Sequence, residues 1–185
     1  MNLNKTRNLM LAIAAAGVFA TAAHASNPDV GGAAMLEDKN IVENAVNSKD
    51  HTTLVAAVQA AGLVDTLASP GPFTVFAPTN AAFSKLPDGT VDTLLKPENK
   101  DTLTKVLTAH VVAGNITSSD LVAQIQAHGG KFNFNTVSGD ALTAMLKGNH
   151  VYIFDESGGA ALVTIADVKQ SNGVIHVVND VLLPQ

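Results

Sequence analysis

The sequence contains no cysteine, so a disulfide cannot staple the fold and thiol chemistry is excluded. Arginine is almost as scarce, because Arg7 is the only one. A chain processed to lose Lys5 and Arg7 would keep nine lysines against 16 acidic residues, a net charge of −7. Such a chain repels phosphate backbones and lacks the planar guanidinium group that binds phosphate. We therefore expect neither nucleic acid nor anionic lipid as a partner.

The first 25 residues have the pattern of a secretory signal peptide. Lys5 and Arg7 precede an apolar run, residues 9–20, and Ala23-His24-Ala25 supplies an A-x-A cleavage site. The run is shorter than the roughly 20 residues that span a bilayer. The pattern predicts a bacterial protein exported to the periplasm or the medium, starting at Ser26, without membrane insertion after cleavage.

The length that remains after cleavage fits one domain with its own hydrophobic core. Residues 26–35 are small, polar and rich in glycine and proline, which predicts a flexible N-terminal tail. The domain itself is expected over residues 36–185. A monomer or a weak homo-oligomer is expected.

The common local signatures of catalysis and cofactor binding are missing from the sequence. There is no G-x-S-x-G elbow, P-loop, G-x-G-x-x-G or H-E-x-x-H. Five histidines lie beyond the predicted cleavage site, without an H-x-H or i,i+4 pair that would preorganise a metal. We predict a protein that is not an enzyme and has no cofactor, while a metal site assembled from distant strands stays open.

The order of secondary structure predicts an α+β fold. Between residues 40 and 130, apolar residues mostly recur with the helical period, apart from a strand-like stretch at residues 73–77. After residue 130, five runs read as strands, with turns at residues 138–139, 148–149, 158–159 and 172–173. Helices first and antiparallel strands last indicate α+β, with the early strand joining the later sheet.

The junction "FTVFAPTNAAF", residues 73–83, starts as a strand and finishes as a helix. Pro78 has no amide donor and should end the strand, and Thr79 or Asn80 should cap a helix that buries Phe83 against the sheet. Near the C-terminus, "GVIHVVNDVLL" is apolar on both faces, which predicts a strand covered on both sides. Both stretches are therefore expected to have a structural role in the fold.

These stretches resemble the two signatures of fasciclin (FAS1) domains, and "LTAHVV", residues 107–112, resembles the segment between them. The resemblance covers about residues 36–185. It implies a FAS1-like antiparallel β-sandwich or wedge of about seven strands, with several short helices packed on one side and a mostly helical N-terminal half. The residues that carry the two signatures are Phe76, Ala77, Pro78, Thr79, Asn80, Phe83, Gly173, Val174, Ile175 and His176.

The resemblance also implies candidate partner-binding residues. Asp167 and Val168 match the family's Asp-Ile adhesion dipeptide, and His110 matches the histidine of its usual Tyr-His pair, although Ala109 replaces the tyrosine. His176 lies in the second signature. Each has a structural alternative: His110 as a core histidine bonded at both ring nitrogens, and Asp167 as the organiser of the following turn.

Two functions follow from these observations. The resemblance implies an exported, non-enzymatic protein that mediates adhesion or protein–protein interaction with a cell-surface or matrix protein or glycan. The alternative is a periplasmic carrier or sensor that holds a small ligand or a metal between the helices and the sheet.

Overall fold

A computed structural model describes residues 27–184 of the chain, and the predicted signal peptide lies outside them. The helices in the described part are short: α1 (Ile41–Ala45), α2 (Thr52–Ala61), α3 (Val64–Ala68), α4 (Asn80–Phe83), α5 (Thr90–Leu94), α6 (Lys100–Thr108) and α7 (Ser118–Ala127). The strands are β1 (Phe73–Pro78), β2 (Val111–Ala113), β3 (Lys131–Asn135), β4 (Ala141–Lys147), β5 (His150–Phe154), β6 (Ala160–Gln170) and β7 (Gly173–Val178). Two 3-10 turns, Lys49–His51 and Pro97–Asn99, precede α2 and α6.

The strands form one seven-stranded sheet in the order β2-β1-β7-β6-β5-β4-β3. The early strand β1 joins the later strands, as predicted; it lies beside β7, and this pair is parallel. The sheet is therefore mixed, whereas the sequence predicted antiparallel strands. A parallel pair needs a long connection between its strands, and here most of the domain lies between β1 and β7.

Gly173 permits the close approach of these two strands. A Cβ atom at this position would lie 2.0 Å from the carbonyl oxygen of Phe73, well inside van der Waals contact. A residue with a side chain would have to push the strands apart. The glycine at the start of the second signature is therefore a steric requirement of the β1–β7 pair.

Two hydrophobic cores lie on opposite faces of the sheet. One contains Ile175 and Val177 of β7 together with residues of the helices before β2. The other contains Val178 of β7 with residues of α7 and of β3 to β5. Residues 174–178 are all buried, so β7 is covered on both sides, as its sequence predicts. Several helices do pack on one face, and α7 lies on the other.

The β1–α4 junction has the expected geometry. β1 ends at Pro78, and the Thr79 side chain caps α4 by accepting from the Ala82 amide. Phe83 is buried in the first core, with 7% of its surface exposed. Asn80, the alternative cap, instead accepts from the Thr53 amide at 3.0 Å and so caps α2.

Residues 27–35 pack on the domain, where the sequence predicted a flexible tail. Val30 and Met35 are buried in the first core. Gly31 accepts a hydrogen bond from the Lys49 amide at 3.3 Å. The tail prediction is therefore wrong for these residues, because apolar side chains spaced along a polar segment can still reach a core.

Candidate functional site

Asp167 lies inside β6, at an irregularity of the strand. The register of β6 against β7 shifts between Val163 and Ile165 and again between Ile165 and Val168, which marks β-bulges. Asp167 adopts a left-handed backbone conformation with φ of 58°, the only residue other than glycine with a positive φ among residues 27–184. Aspartate tolerates this conformation better than most residues. The bulge directs its carboxylate away from the sheet ladder towards α7.

The carboxylate of Asp167 binds the first residue of α7. One oxygen accepts from the Ser118 backbone N–H at 2.6 Å, and the other accepts from the Ser118 hydroxyl. These bonds join β6 to the N-terminus of α7 across 49 residues of sequence. The sequence predicted that Asp167 organises the turn at residues 171–173, and this prediction is wrong, because both carboxylate oxygens are bound elsewhere.

Ser118 is available for this contact because Thr117 caps the helix. The Thr117 side chain accepts from the Asp120 amide, and the Asp120 side chain accepts from the Thr117 amide, which forms a capping box. The spacing of Thr117 and Asp120 is the signal that would have identified Thr117 as the cap.

His176 lies behind Asp167 and fixes the loop before α7. Its Nδ1 accepts from the Asp167 amide at 3.3 Å, and its Nε2 donates to the Ile116 carbonyl at 2.8 Å. The ring is fully buried and stacks on Phe76, with the centroids 5.6 Å apart. Burial lowers the pKa of His176, against the opposing effects of the Ile116 carbonyl and the Asp167 carboxylate. The ring is neutral, and both nitrogens are occupied.

His110 and Val168 are buried, and neither makes a hydrogen bond of this network. Val168 is 0% exposed and belongs to the first core. His110 is 2% exposed; its Nδ1 donates to the Val106 carbonyl at 2.8 Å, and its Nε2 accepts from the Leu182 amide at 2.9 Å. Burial is the main cause that lowers the pKa of His110 to about 4. The expected core histidine bonded at both ring nitrogens is therefore present.

The four candidate residues form one cluster and one outlier. Asp167 and His176 are directly bonded, and Val168 follows Asp167 in the strand. His110 binds α6 and the C-terminal segment instead. Only Asp167 is partly exposed, since the other three side chains are buried. A partner could touch Asp167 and the surface that this cluster holds in place, but not the other three candidate residues.

Asn172, rather than Asp167, makes the chief side-chain contacts of the turn at residues 172–173. Its side-chain oxygen accepts from the Ile41 amide at 3.0 Å. Its side-chain nitrogen donates to the carbonyls of Leu67 and Ser69 at 2.8 and 2.9 Å. Asn172 thus ties α1 and the end of α3 to the β6–β7 turn.

The arrangement offers little for catalysis. The carboxylate of Asp167 and both nitrogens of His110 and His176 are engaged in bonds that hold segments of the fold together. Within residues 27–184, no group of three or more histidines and acidic residues is placed to hold a metal ion.

Comparison with known proteins identifies the family. The fasciclin domain model matches residues 49–184, so the chain belongs to the fasciclin domain family. Protein sll1483 of Synechocystis sp. is 51% identical over 144 residues, which cover 78% of this chain and 73% of that protein. Immunogenic protein MPB70 of Mycobacterium bovis is 39% identical over 145 residues, which cover 76% of this chain and 66% of that protein.

A solved structure supports the same fold. The FAS1 domain pair from the insect cell adhesion molecule fasciclin I aligns with a TM-score of 0.70 at 18% identity, over 78% of this chain and 51% of that one. The predicted α+β, FAS1-like fold is confirmed. In residues 27–184, no helix has both the length and the apolar character needed to cross a membrane.

Proposed function

We propose that this chain is an exported, non-enzymatic fasciclin-domain protein that binds a macromolecular partner at the cell surface or in the surrounding matrix. The observation that carries the proposal is the Asp167 network, which uses polar groups to hold a surface rather than to present reactive atoms. The fasciclin I structure is described as that of a cell adhesion molecule, which supports the same class of function.

The surface in question is defined by exposed neighbours of the bonded residues. Asn115 precedes Ile116, Ser119 follows Ser118, and Thr164 and Lys169 flank Asp167 on β6; all four are exposed. We call these four residues the Asp167 surface. The part-buried bonds of Asp167 and His176 hold the backbone of these segments, so a partner could bind without the entropic cost of ordering a loop. Asp167 thereby acts as a positioning residue.

Envelope capture with paired variants tests this proposal. Purified mature protein should retain a saturable envelope component, and N115R/S119R should lose it while keeping the parent's melting temperature. The matched control is A56R/A60R, which adds the same charge at exposed positions of α2. Equal capture by both double variants, or no saturable capture by the parent, would contradict the proposal.

Export is tested separately, by fractionation and N-terminal sequencing. The signal-like pattern of residues 1–25 supports cleavage before Ser26 and recovery from the periplasm or the medium. Intact protein beginning at Met1 in the membrane fraction would show that the export proposal is wrong. Light scattering of the recovered protein tests the expected monomer or weak homo-oligomer.

A further inference from the structure

A cavity of about 110 Å³ lies between the N-terminal helices and the sheet. Its lining is almost wholly apolar and includes Val58 of α2, Leu67 of α3, Val75 of β1 and Ile175 of β7. Apolar cavities of about 150 Å³ are known to stay dry and to bind benzene or xenon. The space in this domain is thus close to the size of one small ring.

Some polar residues also contribute to the lining, and His51 is the one whose ring has an unpaired nitrogen. His51, in the 3-10 turn before α2, is 3% exposed and lines the cavity. Its Nδ1 is bound to the Ser48 hydroxyl at 2.9 Å. Its Nε2 is the one buried side-chain nitrogen or oxygen of residues 27–184 that has no hydrogen-bond partner. Against the effect of burial, the Ala77 backbone carbonyl raises the pKa of the ring as a hydrogen-bonding carbonyl does, but Nε2 has no partner within full hydrogen-bond geometry.

The unpaired nitrogen distinguishes His51 from the other two buried histidines. His110 and His176 each have both ring nitrogens bonded to the backbone. Native proteins pair nearly all buried polar groups, so an unpaired one calls for a specific cause, and a ligand is one such cause. The orphan atom of His51 belongs to a residue that lines unfilled space.

The chemistry of His51 defines what it can bind. Burial lowers the pKa of its ring, so the ring is neutral near pH 7 and carries one N–H. The Ser48 hydroxyl can donate or accept, so Nε2 can serve as donor or as acceptor. A hydroxyl group on a ligand matches either state, and a carbonyl matches the donor state.

The cavity also reaches the surface. Its lining includes Gln59 of α2, Thr66 of α3 and Val137 of the β3–β4 turn, which are exposed. Val137 has 49% of its surface exposed. A small molecule therefore has a route of entry that leaves the sheet intact.

We propose that this cavity binds a small neutral molecule, with an apolar body about the size of a benzene ring and one hydroxyl or carbonyl oxygen bonded to Nε2 of His51. The site is separate from the Asp167 surface, so it stands whether or not a macromolecular partner binds there. It gives the small-ligand hypothesis a defined location.

Phenol and benzene are the probes, since they differ by the one hydroxyl group. Titration of the mature protein, followed by calorimetry and by ¹⁵N spectra of the histidine rings, should show both binding. Phenol should bind about 3- to 10-fold more tightly, as expected for one net hydrogen bond. The Nε2 resonance of His51 should shift with phenol and not with benzene.

Three variants sharpen the test. His51→Phe keeps a ring and removes the nitrogen, so benzene should still bind while the preference for phenol disappears. Ala45→Leu adds bulk to a residue of the lining and should weaken both probes. His150→Phe changes an exposed histidine and should bind as the parent does.

Several results would overturn the proposal. One is that neither probe binds the parent up to its solubility limit. Another is an unchanged preference for phenol in His51→Phe. A third is an Nε2 resonance that stays fixed because a tightly held water occupies the atom. The resonance is read in the parent protein, so the test survives if His51→Phe fails to fold.

Discussion

Replacing His110 by glutamine removes a titrating group from the core. The free energy of unfolding of this variant should therefore fall less than the parent's as the pH is lowered. His110 is fixed as a neutral ring, with Nδ1 donating to Val106 and Nε2 accepting from the Leu182 amide at 2.9 Å. A second proton on Nε2 would face that amide N–H. The folded protein therefore resists protonation of His110, whereas the unfolded chain does not.

The size of the effect follows from the pKa of His110, which burial lowers from 6.5 to about 4. Between these values the unfolded chain binds more protons than the folded one, so stability falls as the pH falls. One pKa unit corresponds to about 1.36 kcal/mol. His110 alone should therefore lower the free energy of unfolding by about 3 kcal/mol between pH 7 and pH 4, with the stabilisation fully present above pH 6.5.

Urea unfolding at pH 7, 5.5 and 4 measures this contribution. His110→Gln should lose about 3 kcal/mol less than the parent over that range, although its less suitable bonds should make it about 1–2 kcal/mol less stable at pH 7. His150→Gln, at an exposed histidine, is the matched control and should follow the parent. Because His51 and His176 are present in every protein compared, their own acid sensitivity cancels.

Parallel stability curves for the parent and His110→Gln would refute this reasoning. Such a result would mean that His110 titrates in the folded protein as it does in the unfolded chain. The ring would then have access to water, and the argument from burial would fail for this residue.

Substitutions at three further positions test the fold and the Asp167 network. Phe83→Ala should lower the free energy of unfolding by about 3–5 kcal/mol, because the ring is buried in the first core; an unchanged melting temperature would place the ring outside it. Asp167→Ala should lower the free energy of unfolding by about 2–3 kcal/mol, because the two bonds to Ser118 are lost. Asp167→Asn keeps an acceptor and suits the left-handed backbone, so it should lower the free energy of unfolding by less than about 1 kcal/mol. Equal losses in urea unfolding would contradict this account. Gly173→Ala should fold poorly, because its Cβ would meet the Phe73 carbonyl, and thermal unfolding like the parent's would show that β1 and β7 can separate.

The sequence was sufficient for the elements that depend on neighbouring residues. Pro78 ends β1 and Thr79 caps α4, because a missing amide and a capping hydroxyl act within one turn of chain. The apolar pattern of β7 also predicted its coverage on both faces. The three-residue strand β2 was too short to show any alternation, and it begins at Val111, just after α6 ends at Thr108.

The contacts that sequence patterns could not predict join distant segments. Asp167 and Ser118 are 49 residues apart, and Asn172 binds Ile41 across 131 residues. Which asparagine or aspartate makes such a contact depends on β-bulges and on the parallel placement of β1 beside β7. The unpaired nitrogen of His51 could not be predicted from the sequence either, because it depends on which groups the packed helices bring within hydrogen-bond distance.

Amide hydrogen exchange with and without the captured envelope partner tests the proposed function most directly. The account predicts slower exchange in peptides that contain residues 115–120 and 164–169, which carry the Asp167 surface. The cavity lining, followed through the peptides of α2 and α3, should exchange as in the free protein. Protection confined to the cavity lining, with none at the Asp167 surface, would contradict the account.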